Sequence, residues 1–202
     1  MEKFILRHID FNKCSSYVLL SGFVWIVSVA MVPVKSIPQK PFQTAFHFIE
    51  LCLSLYIYLG FVKFSILQKK NSFRKLILAA MAFSIIQVLI AMTATLMENN
   101  NLYNYNGVAV AIEAALLFYA FKSVQDIKTI DFRKLSRLYL YLSFFYVAIS
   151  VSLLFEKESV KKLMPQMLMK PFLIIALLGA ALIVYTWYMK IKLFKQISRQ
   201  MY

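Results

Sequence analysis

Three ionisable side chains stand inside long apolar stretches of this 202-residue sequence: His47, Glu50 and Glu113. Placing such a group at the centre of a bilayer costs about 2.5–3.5 kcal/mol even on lenient scales, so each is a functional candidate. His47, Glu50, Ser54 and Tyr58 recur at i, i+3, i+7 and i+11, one continuous face of a helix. Gln87, Thr93 and Thr95 can supply polar partners, and Tyr139, Tyr141, Ser143 and Tyr146 bring hydroxyls. His47, Glu50, Gln87 and Glu113 form the candidate cluster, suited to a cation, a proton or a small polar ligand. Two carboxylates close together and shielded from water would share a proton rather than both ionise, which makes such a site proton-sensitive. The competing reading has both acids protonated and hydrogen-bonded, serving helix packing alone.

Other chemistries find less support. A di-metal bundle needs Glu-x-x-His on two helices plus two further acids. His47-x-x-Glu50 does not meet that demand, and no metal site is expected. Met164, Met167 and Met169 flank Pro165, and thioethers suit Cu(I). Following Lys161 and Lys162, they read better as an amphipathic segment lying on a membrane surface. Haem is not expected, because His8 and His47, the two histidines, fall at opposite ends of the expected membrane layer. Nucleophile patterns and glycine-rich phosphate loops are absent, so no catalytic residue, no enzyme activity and no cofactor is expected. Cys14 and Cys52 fall at different depths, which argues against a mutual disulfide.

The elements that must position these groups are apolar throughout. Six stretches, 17–33, 43–62, 76–97, 102–121, 138–155 and 171–189, are each long enough to cross a bilayer, which takes about 20 apolar residues or about 17 at the short end. Hydrophobic residues make up 61% of the chain and mean hydropathy is +0.67, beyond the usual soluble domain. The expected fold is all-α: one integral membrane bundle of six transmembrane helices over 1–202, joined by short loops. Ser28-Val29-Ala30 resembles a signal-peptide cleavage site. Glu2 and Asp10 upstream, and five further spans downstream, favour a retained anchor.

The net charge of +14 sits at helix ends. Lys3, Arg7 and Lys13 precede the first stretch; Lys63, Lys69, Lys70, Arg74 and Lys75 fall between the second and third. Lys122, Lys128, Arg133, Lys134 and Arg137 follow the fourth, and Lys190, Lys192, Lys195 and Arg199 follow the sixth. Lys35, Lys40, Lys157, Lys161, Lys162 and Lys170 remain for the other side. The positive-inside rule then puts both termini in the cytoplasm of a multi-pass protein, and the Lys, Asn and Ile content fits a bacterial inner membrane. Charge so placed points to anionic lipid headgroups rather than direct nucleic-acid binding.

The stretches pair into three hairpins of like orientation with repeated features. Phe11-Asn12-Lys13, Phe73-Arg74-Lys75 and Phe132-Arg133-Lys134 precede the odd-numbered stretches. The even-numbered ones align from Ile49 to Tyr58, Ile112 to Phe121 and Leu178 to Trp187, with Glu50 and Glu113 in register and Gly179 in the third copy. Internal duplication explains this; so does independent anchoring by basic and aromatic residues at membrane boundaries. Small residues four apart (Ala80 and Ser84, Ala91 and Thr95, Ala111 and Ala115, Ala176 and Ala180) mark seams expected to bring the third, fourth and sixth stretches together.

Three function classes remain. The first is a non-catalytic membrane protein that senses a ligand or regulates a cytoplasmic partner, with Arg74, Lys75, Arg133 and Lys134 as partner or lipid contacts. An accessory protein of a bacterial phage-defence system would be one case of it. The second is a small channel or carrier, as a monomer or homo-oligomer, using the Glu50 and Glu113 region as its polar path. The absence of proline inside any stretch counts against the broken helices of many transporters. An intramembrane enzyme is the third and least favoured.

Overall fold

The computed structural model describes residues 1–31, 39–97, 100–127, 131–155 and 169–201. Among these the chain is all helical: α1 Glu2–His8, α2 Phe11–Met31, α3 Gln39–Leu67, α4 Asn71–Met97, α5 Asn100–Lys122, α6 Phe132–Phe155 and α7 Met169–Met201. Lys35, Lys157, Lys161, Lys162 and the Met164-Pro165-Met167 segment lie outside the described residues.

Pro41–Leu67, Asn71–Met97 and Leu177–Gln200 are long and apolar enough to cross a membrane, and Phe11–Val27 is a shorter apolar helix. Of the six expected spans, three are thus met by length and composition among the described residues. Short α1 was not anticipated. Its Ile5 and the Ile9 that caps it are buried in the main core, and α1 packs next to α3.

The helices also run past the expected spans. α3 ends only at Leu67, leaving Gln68–Lys70 to turn the chain into α4. Lys70 N–H donates to the Ser65 carbonyl at 2.9 Å, and Lys69 takes a left-handed φ of 53°, a helix-ending geometry usually given to glycine. Lys63, assigned above to a loop, therefore sits inside α3 and is only 6% exposed. Its ammonium donates to the Ile9 carbonyl at 2.6 Å and lies 5.1 Å from the Phe11 ring centroid, tying down the corner between α1 and α2.

The six long helices close into a ring. Each packs on its neighbour in sequence, and α7 returns to α2 as well as to α6. α4 shows the solvent logic: Ala80, Ser84, Val88, Ala91 and Thr95 face the protein while Leu78, Ile86, Leu89 and Leu96 are exposed. Small residues inward and large aliphatics outward suit a lipid surround, where close backbone approach replaces hydrophobic drive. The small-residue seams of α4 are thus packed, as expected. α7, however, does not join α4 and α5; ring closure gives it α2 and α6 as neighbours.

One end of the ring is packed with phenylalanine. Phe11, Phe73 and Phe132, from the three Phe-x-Lys motifs, are fully buried rather than set at a boundary as anchors. They meet Phe61, Phe64, Phe121 and Phe194 of α3, α5 and α7: Phe61 stacks on Phe194 at 4.7 Å between centroids, and Phe64 meets Phe132 at 5.4 Å. Phe73 lies 5.7 Å from Phe121.

Candidate functional site

Above this plug the ring encloses a cavity of about 460 Å³ to which all six long helices contribute side chains. His47, Glu50, Gln87 and Glu113 all line it. The helical face read from the sequence explains how α3 does this: His47, Glu50, Ser54 and Tyr58 descend the wall in order, and Phe61, one turn below Tyr58, is both wall and plug. Tyr139 and Tyr146 line it from α6, whereas Tyr141 is exposed and Ser143 instead donates to the Ala111 carbonyl at 3.1 Å. Thr93 and Thr95 are spent on their own helix, donating to the Leu89 and Ala91 carbonyls.

The two acids are not equivalent. Tyr58, buried, donates a short hydrogen bond to Glu113 Oε1 and so fastens α3 to α5. The ammonium of Lys190 lies 5.5 Å from the Tyr139 ring centroid, and its charge reaches Glu113. Glu50 is close enough to act electrostatically on Glu113, but among the described residues no hydrogen bond or ion pair engages it. At Gly179, the position aligned with Glu50 and Glu113, the Phe145 ring lies where a side chain would begin.

Several lining groups were not singled out from sequence. Asn106 faces the cavity with its Oδ1 buried and, among the described residues, without a hydrogen-bond partner. Trp25 and Trp187, both tryptophans of the chain, line it and meet edge to face at 5.5 Å. Gly22 makes this possible, since a Cβ there would come within 2.9 Å of the Trp187 ring. Lys190 had been counted among the basic residues at a helix end. Its i, i+4 spacing from Thr186, a second lining residue, was the available signal.

Arg74, Lys75, Arg133 and Lys134 lie apart from the cavity, beside Phe73 and Phe132 at the plugged end. Arg74 pairs with Glu2 and Lys134 with Asp131, while Lys75 and Arg133 are exposed. Asp131 beside it raises the Lys134 ammonium above the ordinary lysine range. Cys14 is buried and Cys52 exposed, both as free thiols. Among the described residues no group of three or more His, Cys, Asp or Glu is placed to hold a metal ion. The chain matches no family model, no curated protein and no solved structure.

Proposed function

We propose that this is a six-span membrane protein with both termini cytoplasmic that binds a small ligand in the central cavity and passes its occupancy to a partner at the basic, plugged end. The carrying observation is that one cavity gathers His47, Glu50, Gln87 and Glu113 from three helices, with all six long helices lining it. A ligand that fills the cavity meets every helix of the ring, and it shifts helix positions as far as it binds one arrangement more tightly than another.

A contiguous route to the basic end supports the readout. Tyr139 lines the cavity and stacks on Phe121 at 5.6 Å; Phe121 meets Phe73 and Phe132, each followed directly by Arg-Lys. Those cations are the surface for an acidic partner or anionic headgroups. Neutralising Arg74, Lys75, Arg133 and Lys134 together is expected to abolish partner capture while leaving the cavity intact. Capture unchanged by that variant would sink the readout. An effector encoded beside this gene, as in phage defence, is the first partner to try.

The second reading is a carrier, favoured by the one-sided closure: a ring around a polar cavity with one end packed shut is one half of an alternating cycle. The same plug opposes an open channel. Carriage predicts flux in liposomes that Glu50→Gln with Glu113→Gln removes while the protein stays folded; equal flux in the double variant rejects it.

A further inference from the structure

We propose that the cavity takes a small organic ammonium ion, a protonated amine of single charge with an apolar or aromatic body. This rests on the ligand-binding reading above and gives that site a chemical class.

The charge pattern comes first. Glu113 already has a donor in Tyr58 and a cation in Lys190, whereas Glu50 has neither among the described residues. Asn106 adds a buried carbonyl oxygen without a partner among the described residues. Of the unanswered groups, the Glu50 carboxyl and Asn106 Oδ1 accept, and the buried Tyr139 hydroxyl can accept as well as donate; a buried acceptor left unmade costs more than a made bond returns. An ammonium group supplies the donors and the opposite charge together. An anion would face Glu50 unshielded, and a neutral molecule would leave the acid as it stands.

The walls and the volume narrow the class. Trp25 and Trp187 present aromatic rings to the same space. Such faces attract cations, by about 0.5–1 kcal/mol when exposed and about 2 or more when desolvated. At about 460 Å³ the space lies in the range of small-molecule pockets. It is far larger than one bare ion fills, and the described residues offer no metal-ligand cluster. The cation is therefore organic.

The two tryptophans of the chain make the test direct, because both line the cavity. Purified protein in lipid nanodiscs is titrated at neutral pH with benzylamine, benzyl alcohol and sodium benzoate, and separately with potassium and magnesium chloride, following tryptophan emission. Benzylamine is expected to give a saturable change, with benzyl alcohol and benzoate about tenfold weaker or more. Glu50→Gln is expected to bring benzylamine down to the alcohol, with the melting temperature unchanged. If that variant fails to fold, the ranking of the three probes on the parent protein decides alone. Saturable binding in which benzoate or benzyl alcohol equals the amine overturns the ammonium class but leaves the ligand-binding reading standing. A response to metal chlorides alone also overturns it. No response to any probe sinks both.

Discussion

The two ends of the ring are built by opposite rules. At the plugged end seven phenylalanines from all six long helices fill the interior, and Phe11, Phe64, Phe73, Phe121, Phe132 and Phe194 have no exposed surface at all. At the other, Glu50, Gln87, Asn106 and Glu113 leave about 460 Å³ unfilled. The packed end carries rigidity; the open end forgoes contact energy and keeps unpaired polar groups. Such a cost is borne where a ligand is to be held. Stability and binding should therefore separate along the bundle axis.

The largest effect should come from the plug. Phe73→Ala removes a ring wedged against Phe61, Phe64 and Phe121, and is expected to lose about 3–5 kcal/mol of stability, read as a lowered melting temperature in detergent. Amine binding by whatever protein remains folded should match the parent; a proportional loss of affinity would erase the distinction between the two ends. Lys63→Met is next. It deletes the charge-assisted bond to the Ile9 carbonyl, worth about 1.5–3 kcal/mol, and should free α1 to proteolysis before the rest of the chain. Protection of α1 equal to the parent would show that apolar contacts of Ile5 and Ile9 suffice.

Tyr58→Phe lies on the boundary between the regions and should cost less. Interhelical hydrogen bonds in lipid average about 0.6 kcal/mol, with maxima near about 1.7, so a loss of about 1 kcal/mol is expected. With its donor gone, Glu113 should compete with Glu50 for an ammonium probe, visible as altered affinity. Unaltered affinity would mark the Tyr58–Glu113 pair as packing alone.

The smallest effect is expected far from both. The Lys70 ammonium beside exposed Asp126 holds its carboxyl below the usual carboxylate range. A lowered value stabilises the fold above the ordinary carboxylate range, and that contribution fades as pH falls through the lowered value. Solvent screens this exposed pair, so Asp126→Asn should leave the melting temperature unchanged between pH 4 and 8, by the general weakness of surface ion pairs. A clear pH-dependent drop would instead assign structural weight to that turn.

Much of the polar wall was legible because helical periodicity is local. The i, i+3, i+7, i+11 spacing of His47, Glu50, Ser54 and Tyr58 follows from backbone geometry whatever the neighbours are, and those four side chains line one cavity. The Phe-x-Lys motif was equally visible, but its meaning was not. A phenylalanine beside basic residues looks like a boundary anchor until the facing helices bring Phe61, Phe64, Phe121 and Phe194 around it. Lys63 was misplaced for a similar reason: a lone lysine near a span end reads as a loop residue, and its burial goes with the Ile9 carbonyl, 54 positions away in sequence, and the Phe11 ring.

Sequence by itself determined the helical class, the apolar surface and the helix face that carries Glu50, since each depends on neighbours within a few turns. Which helices touch depended on tertiary structure: α7 closing against α2 and α6 rather than joining α4, the tryptophans meeting across Gly22, and Tyr58 answering one acid while leaving the other open. These are contacts between residues far apart along the chain, and no periodicity within a single helix encodes its partner.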